Sequence, residues 1–309
     1  FHHFHDNNVH SKGQGSIDKD EFYNLVKFIG RVNILDADIF LEKFIKNTIK
    51  ENEVCLTFDD GIKCQIDIAL PVLDDLKIKS FFFVYSSMFE NNPDHLEIYR
   101  YFRTNYFHNI DEFYIEFYKY VESDLNKFFI ENEDKIKLTK QKFPFYSFED
   151  IKFRLVRDNF LKKNEYENIM NLIMKNNKFN PKDVFSKLFF DKKDLVNLYN
   201  NDHIIGLHSH SHPTLLEKLS YEDQEKEYQK NLQVLASILD QPKNKFLSMS
   251  HPNGSYNDDT LNILKKIGIK IGFKQIMKLE KEKKMQSINN SFLEIAREDH
   301  SNILKEINL

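Results

Sequence analysis

Apolar positions along the chain fall into short continuous runs joined by longer stretches of helical spacing. Val54–Phe58 (Val-Cys-Leu-Thr-Phe) and Ser80–Tyr85 (Ser-Phe-Phe-Phe-Val-Tyr) have the length and β-rich composition of buried strands. Between them Ile66, Ala69, Leu70, Leu73 and Leu76 recur at helical period, and Pro71 must kink or divide that helix because it has no N–H to donate. Strand, helix, strand in this order predicts a parallel pair with a right-handed crossover. The alternation returns later in the chain. Asp191–Asn200 reads as a helix, His203–Leu207 as a strand, Ser220–Leu239 as a long helix and Phe246–Met249 as a strand. Asp258–Ile267 then reads as a helix, Ile269–Phe273 as a strand, and Ser291–Ala296 as a last strand ending in Arg297. Repeated strand-then-helix units predict an α/β fold, either a barrel or a doubly wound sheet.

The start of the chain, with His2, His3 and His5, reads as a strand. Ser16 is the expected N-cap of the helix that follows, with Asp18, Asp20 and Glu21 in its first turn. Phe22, Leu25, Val26 and Ile29 form its apolar stripe and Gly30 its stop. Residues 89–180 break the β/α alternation. Phe113, Phe117, Tyr120, Val121, Leu125 and Phe128 line one helical face, and Ile151, Leu155, Phe160 and Leu161 mark a second stretch over Phe148–Lys175. The expected organisation is one α/β domain made of residues 1–88 and 181–309, interrupted by a helical insertion over 89–180. The insertion's aromatics, such as Tyr99, Tyr101, Phe102, Tyr106 and Phe107, read as packing residues or as a surface for sugars or a second subunit. In the second case the insertion covers the site and sets substrate choice, or builds a subunit interface.

Composition narrows the class. With 41% hydrophobic and 30% charged residues among 309, the chain has the profile of a soluble globular protein. A formal net charge of -4 gives no electrostatic reason to expect nucleic acid. No apolar run approaches the length needed to cross a bilayer. Phe-His-His-Phe-His-Asp at the start lacks the basic and apolar regions of a signal peptide, so a cytoplasmic location is expected, with at most a peripheral membrane contact. Cys55 and Cys64 form neither a CxxC nor a disulfide framework and read as small buried residues.

Polar clusters follow the strands, at the carboxyl ends where α/β folds carry their sites. Asp59-Asp60-Gly61 ends the first strand. By itself it reads as a polar turn, or as two acids with separate jobs on opposite faces of a strand. His208-Ser209-His210-Ser211-His212-Pro213 follows a later strand. One helical turn would bring His208 and His212 to one side, where a carboxylate from elsewhere would complete a metal site with open positions. Solvated or structural histidines are the alternative. Ser250–Asp258 is turn-rich, and such a turn can aim backbone N–H groups at an oxyanion.

Thr57-Phe58-Asp59-Asp60-Gly61, followed by a helix and Phe81-Phe82-Phe83-Val84, resembles the first motif of the polysaccharide deacetylase (NodB homology, carbohydrate esterase 4) family. His208-Ser209-x-x-His212-Pro213 resembles the second, and Pro252-Asn253-Gly254-Ser255-Tyr256 the third. The likeness covers Val54–Glu90 and Asp191–Phe273, with the motifs in the family's order. It implies a distorted (β/α) barrel of seven or eight strands and a divalent metal, Zn2+ first, with Co2+, Ni2+ and Mn2+ as alternatives. By motif position Asp60, His208 and His212 are the implied ligands and Asp59 the general base. The implied oxyanion contacts lie at Asn253, Gly254 and Tyr256. Two departures stand out. Ser250 occupies the place where the family commonly has an arginine that orients the base, and the family's general-acid histidine is not plainly present. Arg297-Glu298-Asp299-His300 is the nearest substitute, with His300 as the general acid and Arg297 beside it, against the alternative of a surface salt-bridge cluster. His2 and His3 resemble a strand found near the pocket in some relatives.

The expected function is metal-dependent hydrolysis of an N-acetyl group from an N-acetylated sugar in a polysaccharide, oligosaccharide or glycolipid intermediate. A same-fold hydrolase of another small amide and a catalytically degenerate carbohydrate-binding relative are the alternatives.

Overall fold

The computed structural model describes residues 1–6, 8–13, 15–121, 124–143, 146–274 and 292–307. Six strands form one sheet: β1 (Thr57–Asp59), β2 (Phe81–Val84), β3 (Ile204–Leu207), β4 (Ser248–Ser250), β5 (Ile271–Phe273) and β6 (Phe292–Ile295). They lie in sequential order and every neighbouring pair is parallel. A parallel sheet is covered on both faces, which is why β2 reads as unbroken phenylalanine and valine and is buried throughout. Phe58 and Phe82 are register partners, so the ladder's spacing stacks their rings at 4.7 Å. Gly206 in β3 is required by its neighbour, since a Cβ there would lie 2.5 Å from the Phe83 ring.

The α/β class and the parallel order agree with the deacetylase-type fold. The strand count among the described residues is six rather than seven or eight. Beside β1, at the edge of the sheet, Phe1 pairs: its N donates to Thr57 O (2.8 Å) and its O accepts from Asp59 N (3.1 Å). The expected N-terminal strand is thereby reduced to this pairing and a bridge between Phe4 and Ile17. The first strand is also shifted, because Val54 bridges Ile34 and the sheet proper begins at Thr57. Of the expected last strand, Ser291 lies outside the described residues.

The chain divides into two compact units, one of Phe1–Asp6, Ile17–Asp94 and Ser186–Leu309, the other of Asn7–Ser16 and His95–Phe185. In the first, α1 (Lys19–Ile29) is capped by Asp18 and not Ser16, because Asp18 and Glu21 satisfy each other's backbone N–H (2.8 and 2.9 Å). Then come α2 (Ala37–Ile45) and α3 (Leu70–Asp75). Pro71 does divide the helix. Ahead of α3 a wide turn over Gln65–Ala69 lets Leu70 N reach Gln65 O, five residues back, so the missing proline N–H falls in a first helical turn.

The second unit holds α4 (His95–Asn105), α5 (Ile110–Tyr118), α6 (Leu125–Glu131), α7 (Glu133–Lys142), α8 (Phe148–Leu155) and α9 (Lys163–Asn176). Its core includes Phe113, Phe117 and Phe153, with Phe153 edge-on to the other two at 5.3 and 5.0 Å. Tyr99 and Phe102 are buried, so these two aromatics pack, while Tyr106 is exposed. The buried Asp150 accepts from Tyr114 Oη (3.0 Å), Arg103 Nη1 (3.3 Å) and Arg154 Nε. Burial alone raises its pKa, but Arg154 and Arg103 outweigh burial and hold it below the usual range. Asp150→Ala should cost about 3–5 kcal/mol in denaturant unfolding, because it leaves buried guanidinium charge without its carboxylate. A carboxylate with a lowered folded pKa stabilises the fold above about pH 4 and loses that contribution as pH falls through the folded value. Amide protection factors in α5 and α8 of the native chain should therefore fall in acid below that point.

Beyond α9 the chain continues through α10 (Phe185–Leu188), α11 (Lys192–Asn200), α12 (Tyr221–Leu239), α13 (Asp258–Lys266) and α14 (His300–Ile307). No described helix is long and apolar enough to cross a membrane.

Candidate active site at the carboxyl edge of the sheet

Because the strands are all parallel, their carboxyl ends share one edge. Asp59 closes β1, Ser250 closes β4, His208 follows β3 and Arg297 lies two residues past β6. Asp60 N still donates to Phe83 O (3.0 Å), yet Asp60 has φ +76° and Gly61 φ +65°. Two left-handed residues in succession turn the chain sharply after β1. A Cβ at Gly61 would meet Met88 Cε at 3.0 Å and Val84 Cγ1 at 3.1 Å, so glycine is needed twice over.

The spacing of His208 and His212 suggested one helical turn. The segment is instead a loop with left-handed residues at Ser209 (φ 62°) and His212 (φ 54°), and it still brings the two rings to 5.0 Å. Side chains of α12 shape that loop. Glu227 accepts from His210 N (2.9 Å), Ser211 N (2.7 Å) and Ser211 Oγ (2.7 Å). The buried Asn231 accepts from His208 N and donates to Val84 O, both at 3.0 Å.

Asp60 Oδ1 lies 3.0 Å from His208 Nε2 and 3.2 Å from His212 Nε2. The far nitrogens are both engaged: His208 Nδ1 donates to Ser250 O (2.8 Å) and His212 Nδ1 meets Asp94 Oδ2 (2.7 Å). Anchoring Nδ1 in this way leaves both Nε2 lone pairs for a third party. Burial disfavours charge on His212, yet Asp60 and Asp94 push its pKa up to about 10. The pocket thus calls for positive charge at this point. Two oriented imidazoles and a carboxylate, with ligand atoms within 4.8 Å of one another, fit a divalent cation with open positions.

Asp59 faces other partners. Arg297 grips it with two parallel contacts, Nη1 to Oδ1 (2.8 Å) and Nη2 to Oδ2 (2.7 Å), and Ser250 Oγ donates to Oδ2 (3.1 Å). Burial raises its pKa, but Arg297 and then His208 outweigh burial and hold Asp59 well below the ordinary carboxylate range. The arginine absent from the third motif is thus supplied from beyond β6, and the serine in its place contacts the same carboxylate.

The His300 ring stacks on Phe1 at 5.6 Å, and its Nδ1 is 3.7 Å from Asp299 Oδ1. A further imidazole near the carboxylates is that of His2, with Nε2 3.7 Å from Asp59 Oδ2 and 3.9 Å from Asp60 Oδ2. Burial lowers its pKa to about 4 against the pull of Asp60 and Asp59, so it is neutral at pH 7. In the third motif Asn253 adopts φ +52°, while Gly254 N and Ser255 N donate to His251 O (3.0 Å) and Pro252 O (2.9 Å). Tyr256 stacks on His251 at 4.1 Å and donates to Glu294 Oε1 (2.8 Å). A second His-and-acid group, His5 with Asp18 and Glu21, also converges, but its carboxylates already cap α1.

Three residues here escaped the sequence pattern: Asp94, Glu227 and Asn231. Asp94 lies ten residues past the end of β2, beyond a helical turn over Ser87–Glu90, so no strand-end pattern marks it. Glu227 and Asn231 sit on a helix whose apolar stripe gives no hint of them.

The family model for polysaccharide deacetylases matches residues 46–102 and 158–272, more than half of the chain. No protein of curated function matches by sequence. Among solved structures, the deacetylase PplD of Streptococcus pyogenes, in complex with acetate, superposes with a TM-score of 0.54 at 15% identity, over 99% of this chain and 94% of that one. The de-N-acetylase from Aggregatibacter actinomycetemcomitans gives 0.53 at 11%, covering 97% and 92%. The BpsB deacetylase domain from Bordetella bronchiseptica gives 0.52 at 9%, covering 96% and 93%. At these identities the structures show a shared fold, and the sequence match supplies the rest: the chain belongs to the polysaccharide deacetylase family.

Proposed function

We propose that this protein is a metal-dependent hydrolase that removes the N-acetyl group from an N-acetylated sugar in a polysaccharide, oligosaccharide or glycolipid intermediate. The supporting observation is the pairing, at one sheet edge, of the Asp60–His208–His212 trio with an Asp59 gripped by Arg297. The trio would hold a divalent ion, Zn2+ by its donor set, which when bound supplies Lewis-acid activation of water and of the amide carbonyl. Asp59, kept ionised by Arg297, takes the proton of the attacking water. Arg297 and Ser250 hold both carboxylate oxygens and so fix which lone pair faces the substrate. His2, whose Nε2 is 3.7 Å from Asp59 Oδ2, relays the proton that Asp59 has taken to the leaving nitrogen as the C–N bond breaks, releasing acetate and a free amine.

Acetate release from N-acetylated oligosaccharides by the metal-loaded chain tests the reading, and its absence across such substrates would refute it. The proton donor is tested separately. His2→Gln should lower turnover by ~10²-fold with metal content unchanged, whereas His300→Gln should leave turnover near normal. The opposite outcome assigns the donor role to His300.

A further inference from the structure

The helical unit has a cavity of its own, about 400 Å³, within the size range of small-molecule sites. Lys12, Arg100, Arg103 and Arg154 line it, and Asp150 is the acid among its walls. Asp150 is shared by Arg103 and Arg154, so its one negative charge offsets only part of that pair. Arg103 is buried, and burial, together with the neighbouring Arg154, works against its charge. Arg100 gives Nη1 to Glu97 (3.3 Å), while its Nη2 is buried with no hydrogen-bond partner. A Cβ at Gly13 would lie 2.6 Å from that same Nη2, so glycine lets the loop lie directly over the guanidinium. A buried donor without an acceptor is costly, and an anion in the cavity is the group that would satisfy it.

We propose that this cavity binds a phosphate group, either free or carried on a sugar-sized molecule. Guanidinium forks and an ammonium are the donors that recognise phosphate oxygens. Glu97 offsets Arg100 and Asp150 offsets one of Arg103 and Arg154, so Lys12 and one guanidinium charge remain to match a phosphate dianion. Phe107, on the wall, offers an apolar face against which a sugar ring can lie.

The test is calorimetric titration of the full chain with glucose 6-phosphate, inorganic phosphate and glucose, in chloride buffer. Saturable binding of a phosphate compound is expected, weakened by ~10-fold or more in Arg100→Gln and less in Lys12→Gln, with unchanged melting temperature. Lys12 is exposed, so its variant keeps the test valid should Arg100→Gln disturb the fold. Tighter binding of the ester than of inorganic phosphate identifies a sugar phosphate as the ligand, and equal binding identifies free phosphate. The proposal is overturned if neither phosphate compound binds saturably, if glucose binds as tightly as its ester, or if both variants bind like the wild type. None of these readouts depends on hydrolase activity.

Discussion

His208→Ala is expected to lose bound metal and acetate release together. In the proposed site the imidazole would supply one of three ligand atoms, and its Nδ1 tie to Ser250 O holds the ring in place. Losing one of three protein ligands removes a large part of the donor set. Removing only the support of a ligand typically costs 10–100-fold in affinity, which makes Asp94→Ala the graded comparison at His212. Metal analysis after dialysis, alongside turnover, separates the cases: His208→Ala empty and inactive, Asp94→Ala weakened. A His208→Ala protein that retains a full equivalent of metal would remove the assignment.

Asp59→Asn is expected to keep its metal and lose ~10²–10⁴-fold in turnover, the usual consequence of deleting a general base. Asparagine preserves shape and the Ser250 contact but cannot take a proton. The companion variant, Arg297→Met, tests how Asp59 is tuned. Burial raises the pKa of Asp59 and Arg297 is the first of the groups that lower it. Without Arg297 the carboxyl should protonate at higher pH, so the acid limb of the pH–rate profile should move upward relative to wild type. A limb that stays in place would mean that a different group controls it.

The legible parts of this protein were those written locally. Phe81–Val84 could hardly be anything but a buried strand, and a five-residue identity at Thr57–Gly61 together with ordered histidines carried the fold and the metal trio. What stayed hidden depends on distance along the chain. Arg297 was read as part of a local charged cluster, because nothing in Arg297-Glu298-Asp299-His300 says that its guanidinium reaches the end of β1. His300 was read as a proton donor from its place after the last strand; its ring packs on Phe1, a contact that the local sequence does not announce. Asn231 was invisible, since a buried asparagine on an amphipathic helix has no periodic signature, and its value lies in joining His208 to the β2 carbonyl. A helical turn was one way to bring His208 and His212 together; the loop does so instead with left-handed backbone at Ser209 and His212, held by ties to Glu227 that the local sequence does not reveal.

The clamp between Arg297 and Asp59 spans 238 positions, whereas the contact between His208 and Asp60 spans 148. During synthesis from the N-terminus, the cation-holding trio is therefore complete many residues before the clamp can form. A nascent chain released after β5 would carry its ligands but leave Asp59 buried without its guanidinium, a state in which burial favours the protonated, catalytically idle carboxyl. If the proposed roles hold, binding the metal and activating the base are separated in time by the order in which the ribosome delivers the two ends of the sheet. A product ending after β5 is then expected to contain the trio but not the clamp on Asp59.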